Sequence, residues 1–259
     1  MDGLMNTKRP AKYPFLEHAG ILAFAHRGGA GDAPENTMPA FQACVDLGYR
    51  YVETDVHCTL DGKLVAFHDE TLDRVTNRTG RISELNWAEV QEARVDGESI
   101  PLLEDILGTW PELRVNIDPK ADTAVAPLIA AIQKTNALER VCIGAFSDTR
   151  LRRLRDALGP RLCTSMGPVE VFRLRMRSLG IPAGGFSAGC AQVPVKQGVI
   201  PVVDRLSVRA AHALDMQMHV WTIDEPSEMN RLLDMGVDGL ITDRPVRLKR
   251  VLETRGEWS

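Results

Sequence analysis

The run MHVWTIDEPSEMNRLLDMGVDGLITDRPVRLKRVLET, residues 218–254, decides the fold. It opens on a β-rich apolar stretch, MHVWTID (218–224), and passes through a helical pattern at 226–235. A short apolar run, GLIT (239–242), follows, and then a second helical pattern at 245–254. Strands that alternate with helices imply right-handed crossovers and a parallel sheet. The same rhythm runs backward through the chain. Further strands are expected at ILAFAH (21–26), YVETDV (51–56), RVNID (114–118), VCIGAF (141–146), LCTSM (162–166) and FSAGCAQ (186–192). Helices are expected from about 36 to 48 and at 122–136, 148–158, 168–179 and 207–215. Eight such units in 259 residues fit a closed (β/α)8 TIM barrel. A doubly wound open sheet is the competing architecture, but no G-x-G-x-x-G loop follows the first strand.

One stretch breaks the rhythm. Residues 57–101 are too long for a bare strand-to-helix loop. They contain Asp61-Gly62, a hairpin signal, and the turn cluster Asn77-Arg78-Thr79-Gly80. They are read as a small inserted subdomain after the second strand, within a single domain spanning 1–259. The arginines at 150, 152, 153, 155, 173, 175 and 177 are read as solvated helix faces.

Composition narrows the class. Lys plus Arg is 31 and Asp plus Glu is 35, a net charge of −4, which disfavours nucleic acid as a partner. The five cysteines are scattered with no C-x-x-C, so reduced, buried thiols are expected rather than a thiolate metal site. The start shows no apolar core of a secretory signal, and ILAFA is far too short to span a bilayer, so a cytoplasmic chain without stable membrane insertion is expected.

The residues that could carry chemistry gather at predicted strand ends, the catalytic rim of such barrels. His26 and Arg27 close the first strand: one can move a proton near neutral pH, the other can grip an anion with two bonds. Asn36 or Thr37 caps the next helix, with Pro39 in its first turn, and Glu35 has no capping role. Glu53 and Asp55 stand two apart on one strand and point the same way. Two carboxylates on one inward face need neutralising, either by a divalent cation held through oxygen or by an Arg or Lys. Asp118 could add a third carboxylate, with Asn116 on its face, or cap a helix before Pro119. His68 follows an apolar run and reads as a core histidine or as the partner of His26 in an acid–base pair. Trp221 either walls a pocket or fills core. Glycosidase chemistry could use Glu53 with Asp118, but an aromatic share of 5 % is thin for sugar stacking. No G-x-S-x-G is present for a serine hydrolase.

Together these motifs resemble the glycerophosphodiester phosphodiesterase family. The match includes AHRG (25–28), PENT (34–37), ETDV (53–56), DGKLVAFHD (61–69), LDRVTNRTG (72–80), IPLLEDIL (100–107), NIDPK (116–120), VWTID (220–224) and GVDGLITDRP (236–245), in the family's order. The resemblance implies hydrolysis of diesters such as glycerophosphocholine or glycerophosphoethanolamine to glycerol 3-phosphate and an alcohol. It implies His26 and His68 as the acid–base pair, and Glu53, Asp55 and Asp118 as holders of one divalent cation, Mg2+ or Ca2+, with Mn2+ an alternative. It places Arg27 and Lys120 on the phosphate and Trp221 on the glycerol side, with Glu35 and Asn36 as supports. Asp118 departs from the family's usual Glu by one methylene. A barrel that binds phosphodiesters without turnover, or one that acts on intact lipids, are the other readings. Two titrating histidines disfavour the first, and the lack of an apolar segment disfavours the second.

Overall fold

In the computed structural model, which describes residues 11–259, eight parallel strands form a nearly closed barrel. They are Leu22–Ala25, Tyr51–Cys58, Arg114–Pro119, Val141–Ile143, Cys163–Thr164, Cys190–Pro194, Gln217–Trp221 and Gly239–Thr242. Pairing runs fifth, fourth, third, second, first, eighth, seventh, sixth. A lone parallel bridge, Ser165 to Cys190, joins the two ends.

Helices follow the strands at Met38–Asp46, Leu103–Thr109, Val125–Lys134, Asp148–Leu158, Pro168–Ser178, Arg205–His212, Pro226–Met235 and Pro245–Arg255. Their starts are written locally. Thr37 Oγ1 accepts from Ala40 N and Ser147 Oγ from Arg150 N, which satisfies amides that the first turn leaves open. Pro168, Pro226 and Pro245 occupy first-turn positions, where no amide is needed. The apolar faces of the helices bury Val52, Val56, Val115 and Ile117 on the barrel's outer side. Inside, Phe24, Tyr51, Cys142, Cys163, Cys190 and Ile241 fill the lower barrel. The segment Tyr13–Leu16 stoppers it, with the Phe15 ring 5.4 Å from that of Tyr51. All five cysteines are free and buried. Three of them converge here, with Sγ atoms of Cys142, Cys163 and Cys190 within 4.8 Å of one another, a meeting their sequence spacing gives no sign of.

Several boundaries differ from expectation. The sixth strand starts at Cys190 rather than 186, because the amides of Ser187 and Ala188 bond to Glu170 Oε1 instead of a ladder. The fourth and fifth strands stop at Ile143 and Thr164, short of the expected 146 and 166. Helix Leu103–Thr109 was not expected from periodicity; it is fixed by burying Leu103, Ile106 and Leu107 at helical spacing. The arginine patches are not simply solvated: Arg155 pairs with Glu170 and Arg175 with Asp204, both partly buried.

Within 57–101, strand Leu64–Ala66 runs antiparallel to the outward extension of the second barrel strand, turning at Asp61-Gly62. Val65, Phe67, Leu72, Ile82, Val90 and Ile100 close a small apolar cluster of their own beside the barrel rim. No helix among the described residues is long and apolar enough to cross a membrane.

The seam between the first and eighth strands is tight at Gly239. An added Cβ would lie 2.8 Å from Leu22 O and 2.9 Å from His219 Cδ2. Gly239→Ala is therefore expected to cost about 1–3 kcal/mol by overpacking, read as a lowered urea midpoint at unchanged slope.

Candidate active site

The strand periodicity of two turns Glu53 and Asp55 into the barrel mouth, where they are 6 % and 1 % exposed. The third strand brings its own polar pair into register, Asn116 beside Glu53 and Asp118 beside Asp55. Burial opposes all this negative charge. Glu53 is pushed up to about 7, by burial first and by Asp55 next, and burial also raises Asp118.

Two cations answer it. Lys120 Nζ lies 2.6 Å from Asp55 Oδ1 and 2.7 Å from Asp118 Oδ2, which raises the lysine's own pKa despite its burial. Arg27 turns back over the second strand through a left-handed backbone (φ 50°), followed by Gly28 and Gly29 at φ 74° and 88°. Gly29 has a second reason to lack a side chain, since its Cβ would meet Pro245 Cγ at 2.7 Å. Arg27 Nε then sits 3.1 Å from Asp55 Oδ2, near enough for charge but not aligned as a hydrogen bond.

The histidines stand above this floor, lining one open pocket of about 610 Å³. His26 Nδ1 is 2.6 Å from Asp243 Oδ1, and His68 Nδ1 is 2.6 Å from Asp69 Oδ1. A carboxylate only accepts, so in both rings Nδ1 carries the proton and Nε2 is presented to the pocket side. His26 Nε2 lies 3.6 Å from Glu53 Oε2. Burial works against a charged His26, but Glu53 and Asp243 outweigh it and raise its pKa. Asp243 is itself held by Asp224, whose Oδ1 accepts from Asp243 N and Thr242 Oγ1. His57 Nε2 fixes the backbone beneath His68 through a 3.0 Å bond to its carbonyl.

An ionic chain joins the loop to the barrel. Arg74 bonds Asp69 through Nε and Glu35 through both terminal nitrogens, at 3.0 and 2.7 Å. Glu35 accepts from Arg27 Nη1 at 3.2 Å. Burial notwithstanding, the Arg74 and His68 bonds hold Asp69 down to about 2. Asn36 also supports the floor, taking the Thr54 hydroxyl on Oδ1 from a left-handed backbone (φ 56°).

His26, Arg27, Glu53, Asp55, His68, Asn116, Asp118 and Lys120 thus meet around one pocket, with Trp221 on its wall, edge-on to Phe146 at 5.9 Å; Glu35 and Asn36 do not line it and reach it only through Arg27 and Thr54. Asp243, Asp69 and Arg74 were not singled out. Asp243 ends the eighth strand and Asp69 directly follows His68, and those positions are the signals that could have found them. A second hollow, lined by Arg152, Arg155, Arg173, Asp148 and Glu170, holds no histidine.

The donor set suits a hard divalent cation. Glu53, Asp55, Asp118 and Asn116 offer oxygen only. Asp55 Oδ2 and Asn116 Oδ1 are buried without a hydrogen-bond donor, and Glu53 has no Arg or Lys side chain among its ion-pair partners.

Paired histidines over a cationic, carboxylate-lined floor at the C-terminal rim of a parallel barrel define a hydrolase shaped for an anionic centre. The model of the glycerophosphoryl diester phosphodiesterase family matches residues 26–247, and the chain belongs to that family. It is 44 % identical over 251 residues to a Mycobacterium tuberculosis protein named "Probable glycerophosphodiester phosphodiesterase 2", covering 94 % of this chain and 95 % of that one. Its fold matches a Silicibacter pomeroyi crystal structure described as of the glycerophosphoryl diester phosphodiesterase type (TM-score 0.81, 23 % identity, 95 % and 100 % of the two chains). It also matches an Oleispira antarctica phosphodiesterase in complex with the product sn-glycerol-3-phosphate (TM-score 0.74, 22 % identity, 90 % and 97 %).

The aspartate behind His26 and the arginine behind Asp69 have separable effects. Asp243→Asn removes the carboxylate's charge and can turn an NH2 toward Nδ1, which favours the wrong tautomer of His26, and is expected to lower kcat about 100-fold or more with folding intact by circular dichroism. Arg74 is half exposed, so Arg74→Ala should cost about 1 kcal/mol or less in stability while lowering kcat about tenfold, and Arg74→Lys, lacking the planar fork, should not restore it.

Proposed function

We propose that the chain hydrolyses glycerophosphodiesters such as glycerophosphocholine or glycerophosphoethanolamine to sn-glycerol 3-phosphate and the free alcohol, with one divalent cation and two-histidine acid–base catalysis. The observation that carries this reading is the matched arrangement His26–Asp243 and His68–Asp69, with both histidines lining the pocket whose floor holds Arg27 and Lys120.

Arg27 and Lys120 bind the phosphate oxygens, and their charge is already oriented by Asp55 and Asp118. Glu53, Asp55 and Asp118 would hold Mg2+ or Ca2+, with Mn2+ an alternative, and such a cation when bound would spread the phosphate's negative charge. The nucleophile is the glycerol hydroxyl next to the phosphorylated carbon. Nε2 of one histidine takes its proton as oxygen bonds to phosphorus, and the other histidine protonates the departing alcohol oxygen. The cyclic phosphate so formed is opened by water with the proton roles reversed, which yields the monoester. Asp243 and Asp69 keep each ring in the tautomer that presents Nε2 and stabilise it when charged. Trp221 gives the glycerol an apolar edge. The buried, unpaired thiols support a reducing compartment, the cytoplasm, as the setting.

The test is release of glycerol 3-phosphate from both diesters by the purified protein, with and without added cation. His26→Ala and His68→Ala are each expected to lower kcat by about 10²–10⁴. Near-native turnover in both would sink the acid–base assignment. Exhaustive chelation should reduce the rate about 100-fold or more, restored by one of the three cations. Full activity after chelation would remove the metal from the scheme.

A further inference from the structure

The lower barrel holds a cluster that the hydrolytic chemistry does not use. Cys142, Cys163 and Cys190 stand on the fourth, fifth and sixth strands. Cys142 and Cys163 are register partners, and Cys190 is bridged to Ser165, two residues beyond Cys163 and on the same face. The stagger of barrel strands brings the three thiols together. Their Sγ atoms lie within 4.8 Å of one another, with Cys142 to Cys190 at 3.9 Å. Two sulfurs that share one tetrahedral ion through bonds of about 2.3 Å stand about 3.8 Å apart, so this pair already has the spacing of common ligands.

The cluster is closed. None of the three lines the pocket at the mouth, and each is 1 % exposed or less. Tyr13 covers it near Gly189, whose added Cβ would lie 2.6 Å from Tyr13 Cε2 and 3.3 Å from Cys163 Sγ. A closed sulfur pocket suits a structural ion rather than a catalytic one, and soft thiolates select against the oxygen-seeking cations that fit the carboxylates above. Hydrogen bonds from Cys142 and Cys163 pull the Cys190 thiol well below its ordinary range, which favours one thiolate in advance. His219 follows Gln217, the register partner of Cys190, by two residues and so turns to the same face. Its Nε2 is 3.0 Å from Gln217 Oε1, an acceptor, which leaves the Nδ1 lone pair as a fourth donor. The location matters as well. The fifth strand meets the sixth through the single Ser165–Cys190 bridge, so an ion held here would tie strands that few hydrogen bonds join.

We propose that Cys142, Cys163 and Cys190 hold a thiophilic divalent cation of the zinc type, a structural site that clamps the fourth, fifth and sixth strands inside the barrel. Each thiol gives its proton to solvent and a lone pair to the ion, and no oxidation state changes. The C-x-x-C spacing that announces most such sites is absent because each ligand comes from a different strand. The site is separate from the carboxylates of Glu53, Asp55 and Asp118 and does not depend on what they bind.

The experiment supplies Cd2+ as the probe to the reduced full-length chain, both folded and during refolding from urea, in excess Mg2+ to occupy the carboxylates. The readouts are sulfur-to-cadmium charge-transfer absorption in the ultraviolet and the thermal midpoint. The expected result is absorption that saturates at one Cd2+ per chain, with a midpoint raised by about 5 °C or more, and a similar rise with Zn2+. Cys190→Ala should at least halve the absorption and abolish the rise in midpoint. Cys44→Ala, on helix Met38–Asp46 and outside the cluster, should keep both. Circular dichroism reports whether each variant folds, and Cys142→Ala replaces Cys190→Ala if the latter does not. No charge transfer in the parent chain, cadmium bound without it, or absorption unchanged in a folded Cys190→Ala or Cys142→Ala each overturns the proposal. The parent chain's absorption decides by itself, so an unfolded variant does not remove the test. Every one of these outcomes leaves the hydrolase reading as it stands.

Discussion

Everything at the mouth of this barrel follows from the cost of crowding Glu53, Asp55 and Asp118 together out of water. Three carboxylates on adjacent parallel strands repel one another and are poorly solvated; the chain brings cations to Asp55 and Asp118, while Glu53 is pushed up to about 7. Lys120 arrives two residues after Asp118, just past the end of the same strand. Arg27 can arrive only by reversing direction at the end of the first strand, through a left-handed residue and two glycines that no side chain could replace cheaply. The sharp turn that swings Arg27 inward also leaves His26 at the rim, 3.6 Å from Glu53. Charge neutralisation and placement of the first histidine are thus one structural event.

The second histidine is placed by a different device. The second barrel strand does not end at the rim but runs on to Cys58 and folds back as a hairpin that leads directly to His68. Glu53, Asp55 and His68 therefore ride on one continuous piece of chain. The Asp69–Arg74–Glu35–Arg27 contacts then fasten the far side of that piece to the first strand. Most of this chain is ion pairs with some exposure, individually weak in water, whose value lies in orientation more than in stability.

Much of this was legible in the sequence, and the reasons are physical. Strand and helix alternation is a local pattern, so helices 148–158 and 226–235 were placed at their observed limits. The pair Glu53/Asp55 was legible because a period of two fixes which way both point. What the sequence hid were meetings between distant segments. Asp243 reaches His26 across 217 positions, and the three interior thiols converge from separate strands. Strand ends were also misjudged where a side chain captures amides that a ladder would have used, as Glu170 does at Ser187 and Ala188.

The barrel's pairing is uneven around its circumference. The second and third strands are matched over six residue pairs, whereas the fifth strand has two residues and meets the sixth through the single Ser165–Cys190 bridge. Glu53, Asp55, Asn116 and Asp118 stand on the strongly laddered pair, and Met166 and Phe172 follow the short fifth strand. The loop after the fifth strand is thus attached to a different part of the ladder from the one that carries Glu53 and Asp55. A change confined to that loop could exchange one alcohol for another while the carboxylate pair on the second and third strands stayed where it is.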